Sequence, residues 1–191
     1  MPYTQEHKDK TRQQILNSAF ELFTAKGFDK VTVNEIMENC SLTRGAFYAH
    51  FPSKSSLYSE SIKFAAASSW LAEFKPKNIS EKNWLRQLLN GYLSLEHVSG
   101  DRACPLAFLA TDIVTRDADA KKAYSKAYAG FNKIIMTYAN SYTTCSEGEI
   151  LSLTAMIIGA VAISRAMDNK KEIRKILVSC RQEAGIKLGG I

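Results

Sequence analysis

Histidine is scarce in this chain, with three in 191 residues, at His7, His50 and His97. None sits in an HExxH pair, and the sequence also lacks GxSxG, GxxxxGKS/T and GxGxxG. Those absences remove the zincin helix, the nucleophile elbow, the phosphate loop and the dinucleotide fingerprint. Four cysteines, Cys40, Cys104, Cys145 and Cys180, occur without a CxxC spacing. That pattern reads as reduced thiols and neither as a disulfide frame nor as a zinc site. His97 and Cys104 alone do not make a metal site. No uninterrupted apolar run reaches the roughly 18 residues of a membrane span. The opening MPYTQEHKDKTRQQ lacks the apolar centre of a secretory signal. The expectation is a cytoplasmic protein with no membrane partner, catalytic set, metal or cofactor. Convincing strand alternation is missing as well, so the expected fold class is all-α.

What is present is an ordinary globular composition, 46% apolar and 23% charged, enough to bury a core. The net charge of +6 and pI near 9.1 favour an anionic partner. The charge is unevenly placed. Through Lys63 there are 8 basic against 7 acidic residues, and 17 against 12 in the remainder. Nucleic-acid affinity in the first third must therefore come from a few placed cations and helix ends.

Helical periodicity runs through the chain. Ile15, Ala19, Leu22 and Phe23 form one apolar stripe, closed at Lys26-Gly27 by a left-handed glycine. Thr32-Val33-Asn34-Glu35 has the form of a capping box. Thr43 is expected to cap a short helix stopped at Phe51-Pro52, and Ser53 a fourth helix reaching about Glu73. Ser80 opens a helix through about His97, Pro105 one through Val114, and Asp117 one to Tyr142. Ser146-Glu147-Gly148-Glu149 is a second capping box, before a helix apolar almost all round. Asn169 starts the last helix, and Leu188–Ile191 is expected to fray.

Two short helices broken at Cys40–Thr43, the second rich in hydrogen-bonding side chains, have the layout of a helix-turn-helix. The stretch TVNEIMENCSLTRGAFYAHFPSKSSLY resembles the N-terminal DNA-binding domain of the TetR family of transcriptional regulators. The likeness rests on Thr32, Ile36, Leu42, Thr43, Arg44, Gly45, Phe47, Tyr48, Phe51, Lys54 and Leu57, and covers about the first third of the chain. Two positions depart from the pattern: Ser41 stands where glycine is usual in the turn, and Ser56 where an acidic residue is common. Cys104–Ala107 and Gly159–Ala166 are looser matches to a subfamily. The resemblance implies an N-terminal three-helix DNA-binding domain, 1–53, joined by the helix starting near 54 to a larger helical effector-binding and dimerisation domain, 54–191. It also implies a homodimer, usually a repressor, on a palindromic operator in double-stranded DNA, released by a small-molecule effector.

For DNA contact the candidates are Thr32, Thr43, Arg44, Gly45, Tyr48, His50 and Lys54. Arg44, early in the recognition helix, can fork onto guanine or take a phosphate. Gly45 permits close approach. Thr43 and Tyr48 carry hydroxyls suited to phosphate. His50 and Lys54 are expected to clamp phosphates, and Thr32 to cap and touch one. An effector pocket is expected among Trp70, Tyr92, Cys104, Phe108, Tyr128 and Phe131, and a dimer interface at Ile158, Gly159, Ala162, Ile163, Ile173 and Leu177. Cys104, at a helix start and two residues after Arg102, is either a thiolate sensor or a small buried hydrophobe. A protein-interaction module without DNA binding is the other reading of the whole chain. Salt dependence separates the two, because phosphate contacts release counterions and an apolar interface does not.

Overall fold

The computed structural model describes residues 4–67, 75–99 and 104–191. Every regular element among them is helical. They are α1 (Gln5–Lys26), α2 (Val33–Asn39), α3 (Arg44–Tyr48), α4 (Lys54–Ala67), α5 (Glu81–Tyr92), α6 (Leu95–Ser99), α7 (Pro105–Phe108), a 3-10 turn (Asp112–Thr115), α8 (Ala118–Ala139), α9 (Glu147–Arg165) and α10 (Lys170–Lys187).

The chain packs as two compact units, Met1–Ser68 with Leu109–Ala127, and Ser69–Phe108 with Tyr128–Ile191. The expected 1–53 and 54–191 divide the chain by role, and packing divides it by shared core. α4 and the 109–127 segment both belong with the first unit because their apolar residues share its core. Ile15, Ala19 and Phe23 of α1 meet Ile36, Met37, Phe47, Phe51, Leu57, Tyr58 and Ile62, with Leu109, Ile113, Ala120 and Ala123 in the same cluster. In the second unit α9 packs along α10 and beside α6 and α7.

Caps set most helix starts, and most were legible. Ser53, Ser80, Asp117 and Asn169 each accept from a backbone N–H two or three residues on, at 2.8–3.3 Å. Both halves of the Ser146–Glu149 box are formed. Thr4 caps α1 as well. Several boundaries differ from expectation. α5 stops at Tyr92 because the Ser94 hydroxyl takes the His97 N–H at 3.2 Å and starts α6 afresh. The helix opened by Pro105 ends at Phe108 and is followed by the 3-10 turn. Gly27 closes α1 at φ 80, ψ 159, outside the left-handed helical well and in a region only glycine enters freely. The tail does not fray: Leu188 is buried, and the Gly190 and Ile191 N–H groups both return to the Gly185 carbonyl.

One helix overturns the reading that nothing in the chain is apolar enough to span a bilayer. α9 reaches a mean hydropathy of 1.5 over 18 residues, with 39% of that window buried. By length and composition it could cross a membrane; a core helix of a soluble protein has the same profile. Its apolar surface is only partly used within one chain.

Candidate DNA-binding surface

The turn between α2 and α3 is built by the end of α2. Ser41 has φ 57, and its N–H donates to the Glu38 carbonyl at 2.9 Å while the Leu42 N–H donates to Met37 at 2.8 Å. This 5→2 and 6→1 pair is a Schellman closure. Serine holds the left-handed position that suits glycine, at a cost on the order of 1 kcal/mol. Leu42 then packs onto the core, and Phe47 is fully buried. Those anchors fix which side of α3 is left outward.

The outward side carries Thr43, Arg44, Gly45 and Tyr48, all exposed, with Tyr48 58% accessible. The Arg44 guanidinium takes part in none of the ion pairs or cation–ring contacts of the described residues. Thr43 stands at the cap position in extended conformation, yet its hydroxyl makes no cap bond. That corrects the expected cap and leaves the hydroxyl uncommitted. A β-carbon added to Gly45 would meet only the Thr43 hydroxyl, at 3.9 Å. Nothing inside the fold therefore requires glycine there, although glycine in a helix costs roughly 0.5–1 kcal/mol relative to alanine.

Thr32 caps α2, its hydroxyl accepting from the Glu35 N–H at 3.1 Å, and remains exposed. The Glu35 carboxylate pairs with Lys26, which holds its pKa below the usual range. His50 is half-buried. Burial first, then the charges of Arg12 and Lys8, lower its pKa. That favours the neutral imidazole, which can still donate one N–H to a phosphate.

Lys54 departs furthest from expectation. Its ammonium donates to the carbonyls of Phe28 and Val31, both at 2.9 Å, and lies 4.1 Å from the Phe28 ring centre. Two of its three donors thus tie the start of α4 to the loop before α2, which leaves one for any phosphate. The same loop is held from the other side. Asp112 accepts from the Phe28 N–H at 3.2 Å and the Tyr58 hydroxyl at 2.6 Å. Arg116 forks onto Asp29 at 2.9 and 2.8 Å and stands 4.6 Å from the Phe28 ring centre. Burial and the Asp112 carboxylate push the Tyr58 pKa well up, so it stays a donor. Sequence reasoning missed Asp112 and Arg116, whose partners on that loop lie more than eighty residues away.

In the second unit, four of the expected pocket residues lie in one aromatic neighbourhood. Tyr92 and Phe131 have ring centres 5.5 Å apart, and the Tyr92 hydroxyl and Cys104 sulfur are 3.4 Å apart. His97, not foreseen, sits 4.5 Å from Tyr92 and 5.9 Å from Phe108, with the Arg165 guanidinium 3.3 Å over Phe108. Tyr128 is engaged elsewhere, 3.1 Å from the Thr154 hydroxyl. Trp70 lies outside the described residues, as does Arg102. Burial raises the Cys104 pKa, which favours the small buried hydrophobe of the two expected readings. Two hollows, of about 520 Å³ beside Ser80 and Arg86 and about 280 Å³ beside Glu96 and Arg181, involve none of the expected pocket residues.

Of the expected interface residues, Ile173 and Leu177 are buried within the chain, 6% and 2% exposed, and have no surface to offer a partner. They face inward because α10 packs on α9. Ile158, Gly159 and Ala162 are half-buried and Ile163 is 57% exposed. Val178 and Ile186 are the exposed apolar residues of α10.

Residues 15–60 match the family model described as bacterial regulatory proteins, tetR family. The chain is similar to the HTH-type transcriptional regulator AcrR of Shigella flexneri, 42% identical over 57 residues, 30% of this chain and 26% of that one. It is also similar to the biofilm operon icaADBC negative transcriptional regulator IcaR of Staphylococcus aureus, 35% identical over 52 residues, 27% of this chain and 28% of that one. The chain spans about a quarter of the length of the curated relatives it matches. Among solved structures, the reduced form of Escherichia coli NemR has TM-score 0.78 at 16% identity, over 92% of this chain and 95% of that one. Bacillus subtilis FadR in complex with stearoyl-CoA has TM-score 0.64 at 15% identity, over 94% and 98%. At those identities the likeness establishes the fold.

Proposed function

Because residues 15–60 match the model of the tetR family of bacterial regulatory proteins, we propose that the chain is a homodimeric DNA-binding transcriptional regulator of that family, a repressor that a small molecule releases from a palindromic operator. The observation that carries the reading is the outward side of α3. Arg44, Gly45 and Tyr48 are exposed, Arg44 in none of the ion pairs of the described residues and Tyr48 with its ring edge-on to Phe47, on a helix whose orientation the Ser41 closure and Phe47 fix. Arg44 reads a base edge from the major groove. The hydroxyls of Thr32, Thr43 and Tyr48 position the backbone, and His50 donates one N–H there. Residues 1–53 act as the reader and 54–191 carry effector binding and pairing of subunits. The partly exposed face of α9 and the outer side of α10 form the pairing surface, which also gives the apolar α9 a partner without a membrane. The aromatic neighbourhood of Tyr92, Phe108 and Phe131 is the place for the effector. The setting is the cytoplasm, where the DNA is.

Selection of bound sequences from a random duplex library tests this. A palindromic consensus is the expected outcome. Arg44→Ala should then lose about 1–3 kcal/mol and relax preference at one position in each half-site. No enriched sequence, or an Arg44→Ala variant with full affinity and preference, refutes the reading.

A further inference from the structure

The reader holds little net positive charge, and one of its expected phosphate contacts, Lys54, is committed internally. A further cation stands on the first turns of α1. Arg12 donates to the His50 carbonyl at 3.0 Å, which pins α1 beside the end of the α3 segment. The rest of that guanidinium is used within the fold: it pairs with Glu60 and lies 4.2 Å from the Phe51 ring centre. Lys8 is four residues earlier on the same helix. Residues so spaced share a face, here about one turn, roughly 5.4 Å, further out. Its side chain is exposed, and its ammonium is in none of the ion pairs or hydrogen bonds of the described residues. After burial and Arg12, the Lys8 charge is the third cause that lowers the His50 pKa.

The position fits a groove edge. From Arg44 to His50 the chain advances roughly 9 Å at helical rise, against a major groove about 12 Å wide. With Arg44 over base edges, the His50 end falls near the groove wall, where phosphates lie. We propose that Lys8, one helical turn before Arg12 on the same face of α1, is a phosphate-binding point outside the helix-turn-helix, taking a backbone phosphate at the flank of each half-site. The inference rests on the DNA-binding reading above. A lysine suits this role, since its ammonium acts as a point charge that needs no planar partner.

Full-length wild type is compared with Lys8→Gln, Lys8→Arg and Lys10→Gln by fluorescence anisotropy. Two duplexes are used, one selected and one scrambled, between about 50 and 200 mM salt. Lys10 is the control because two residues of helix turn it to the far side of α1. Lys8→Gln should make the log–log salt slope shallower by about 0.9 for each phosphate it no longer neutralises, roughly 1.8 for a dimer. Binding of both duplexes should weaken by the same factor. Lys8→Arg and Lys10→Gln should keep the wild-type slope. A wild-type slope in Lys8→Gln, or a weakening confined to the selected duplex, overturns the assignment while leaving the regulator reading intact. Wild type that binds no duplex in a salt-dependent way overturns both.

Discussion

Replacing Lys54 with methionine keeps the length and apolar stem of the side chain and removes only its charge and donors. In the wild type those donors hold the Phe28 and Val31 carbonyls at 2.9 Å, with the charge 4.1 Å from the Phe28 ring centre. A hydrogen bond from a charged donor contributes about 1.5–3 kcal/mol. Lys54 is only half-buried, so water can serve the abandoned carbonyls, and about 1 kcal/mol for each bond is the better figure. The cation–ring contact adds about 0.5–1 kcal/mol. The expected loss is thus about 2–3 kcal/mol in the first unit. At about 2–4 °C per kcal/mol for a chain of this size, the far-UV circular dichroism melt should fall by about 4–12 °C. Amide exchange should quicken in α1, α2 and α4 first, since they share that core. The salt slope of DNA binding, measured well below the melt, should stay that of the wild type. A variant with wild-type stability and a slope shallower by about 0.9 per protomer would refute this: Lys54 would then be a phosphate contact and the two carbonyl bonds incidental.

Gly45→Ala should raise stability by roughly 0.5–1 kcal/mol, because the added methyl meets nothing closer than 3.9 Å. The same variant should bind its operator more weakly, and a stabilised protein with undiminished affinity would show that the glycine is not there for close approach. His97 is buried, and burial lowers its pKa below the ordinary 6.5. An unfolded chain therefore takes up a proton that the folded one resists, so stability is full above about pH 6.5 and falls as the solution is acidified toward the folded pKa. Following tryptophan fluorescence in urea at several pH values, His97→Leu should flatten that decline, and an unchanged pH slope would remove His97 as its source. Ile163→Glu places a charge on a residue 57% exposed within one chain. It should leave the helical content intact and shift sedimentation from dimer to monomer; a variant that still sediments as a dimer would move the pairing surface elsewhere.

Local signals were legible wherever the physics is local. A hydroxyl or carboxylate two or three residues before the N–H it caps needs no tertiary partner, so Ser53, Ser80, Asp117, Ser146 and Asn169 could be found by eye. Thr43 was the exception: the backbone reached cap geometry but the hydroxyl makes no cap bond. The apolar spacing of α1 and the Phe47 and Phe51 anchors likewise identified the core side of the reader. By subtraction they identified its outward side.

What the sequence by itself determined was an all-helical chain with a helix-turn-helix near its start and a tight turn at Cys40–Thr43 between its two short helices. Each of these follows from spacings of two to four residues. What only the tertiary structure decided was which polar groups remain available. Lys54 reads as a free cation until Phe28 and Val31 are brought to it, and Cys104 reads as either a thiolate or a buried hydrophobe until Tyr92 and its neighbours close over it. Ile173 and Leu177 read as partner-facing until α9 covers them, whereas Lys8 reads as an ordinary surface charge until Arg12 draws its helix against His50. Availability depends on what long-range packing brings within about 3 Å of a donor, and no local spacing carries that information.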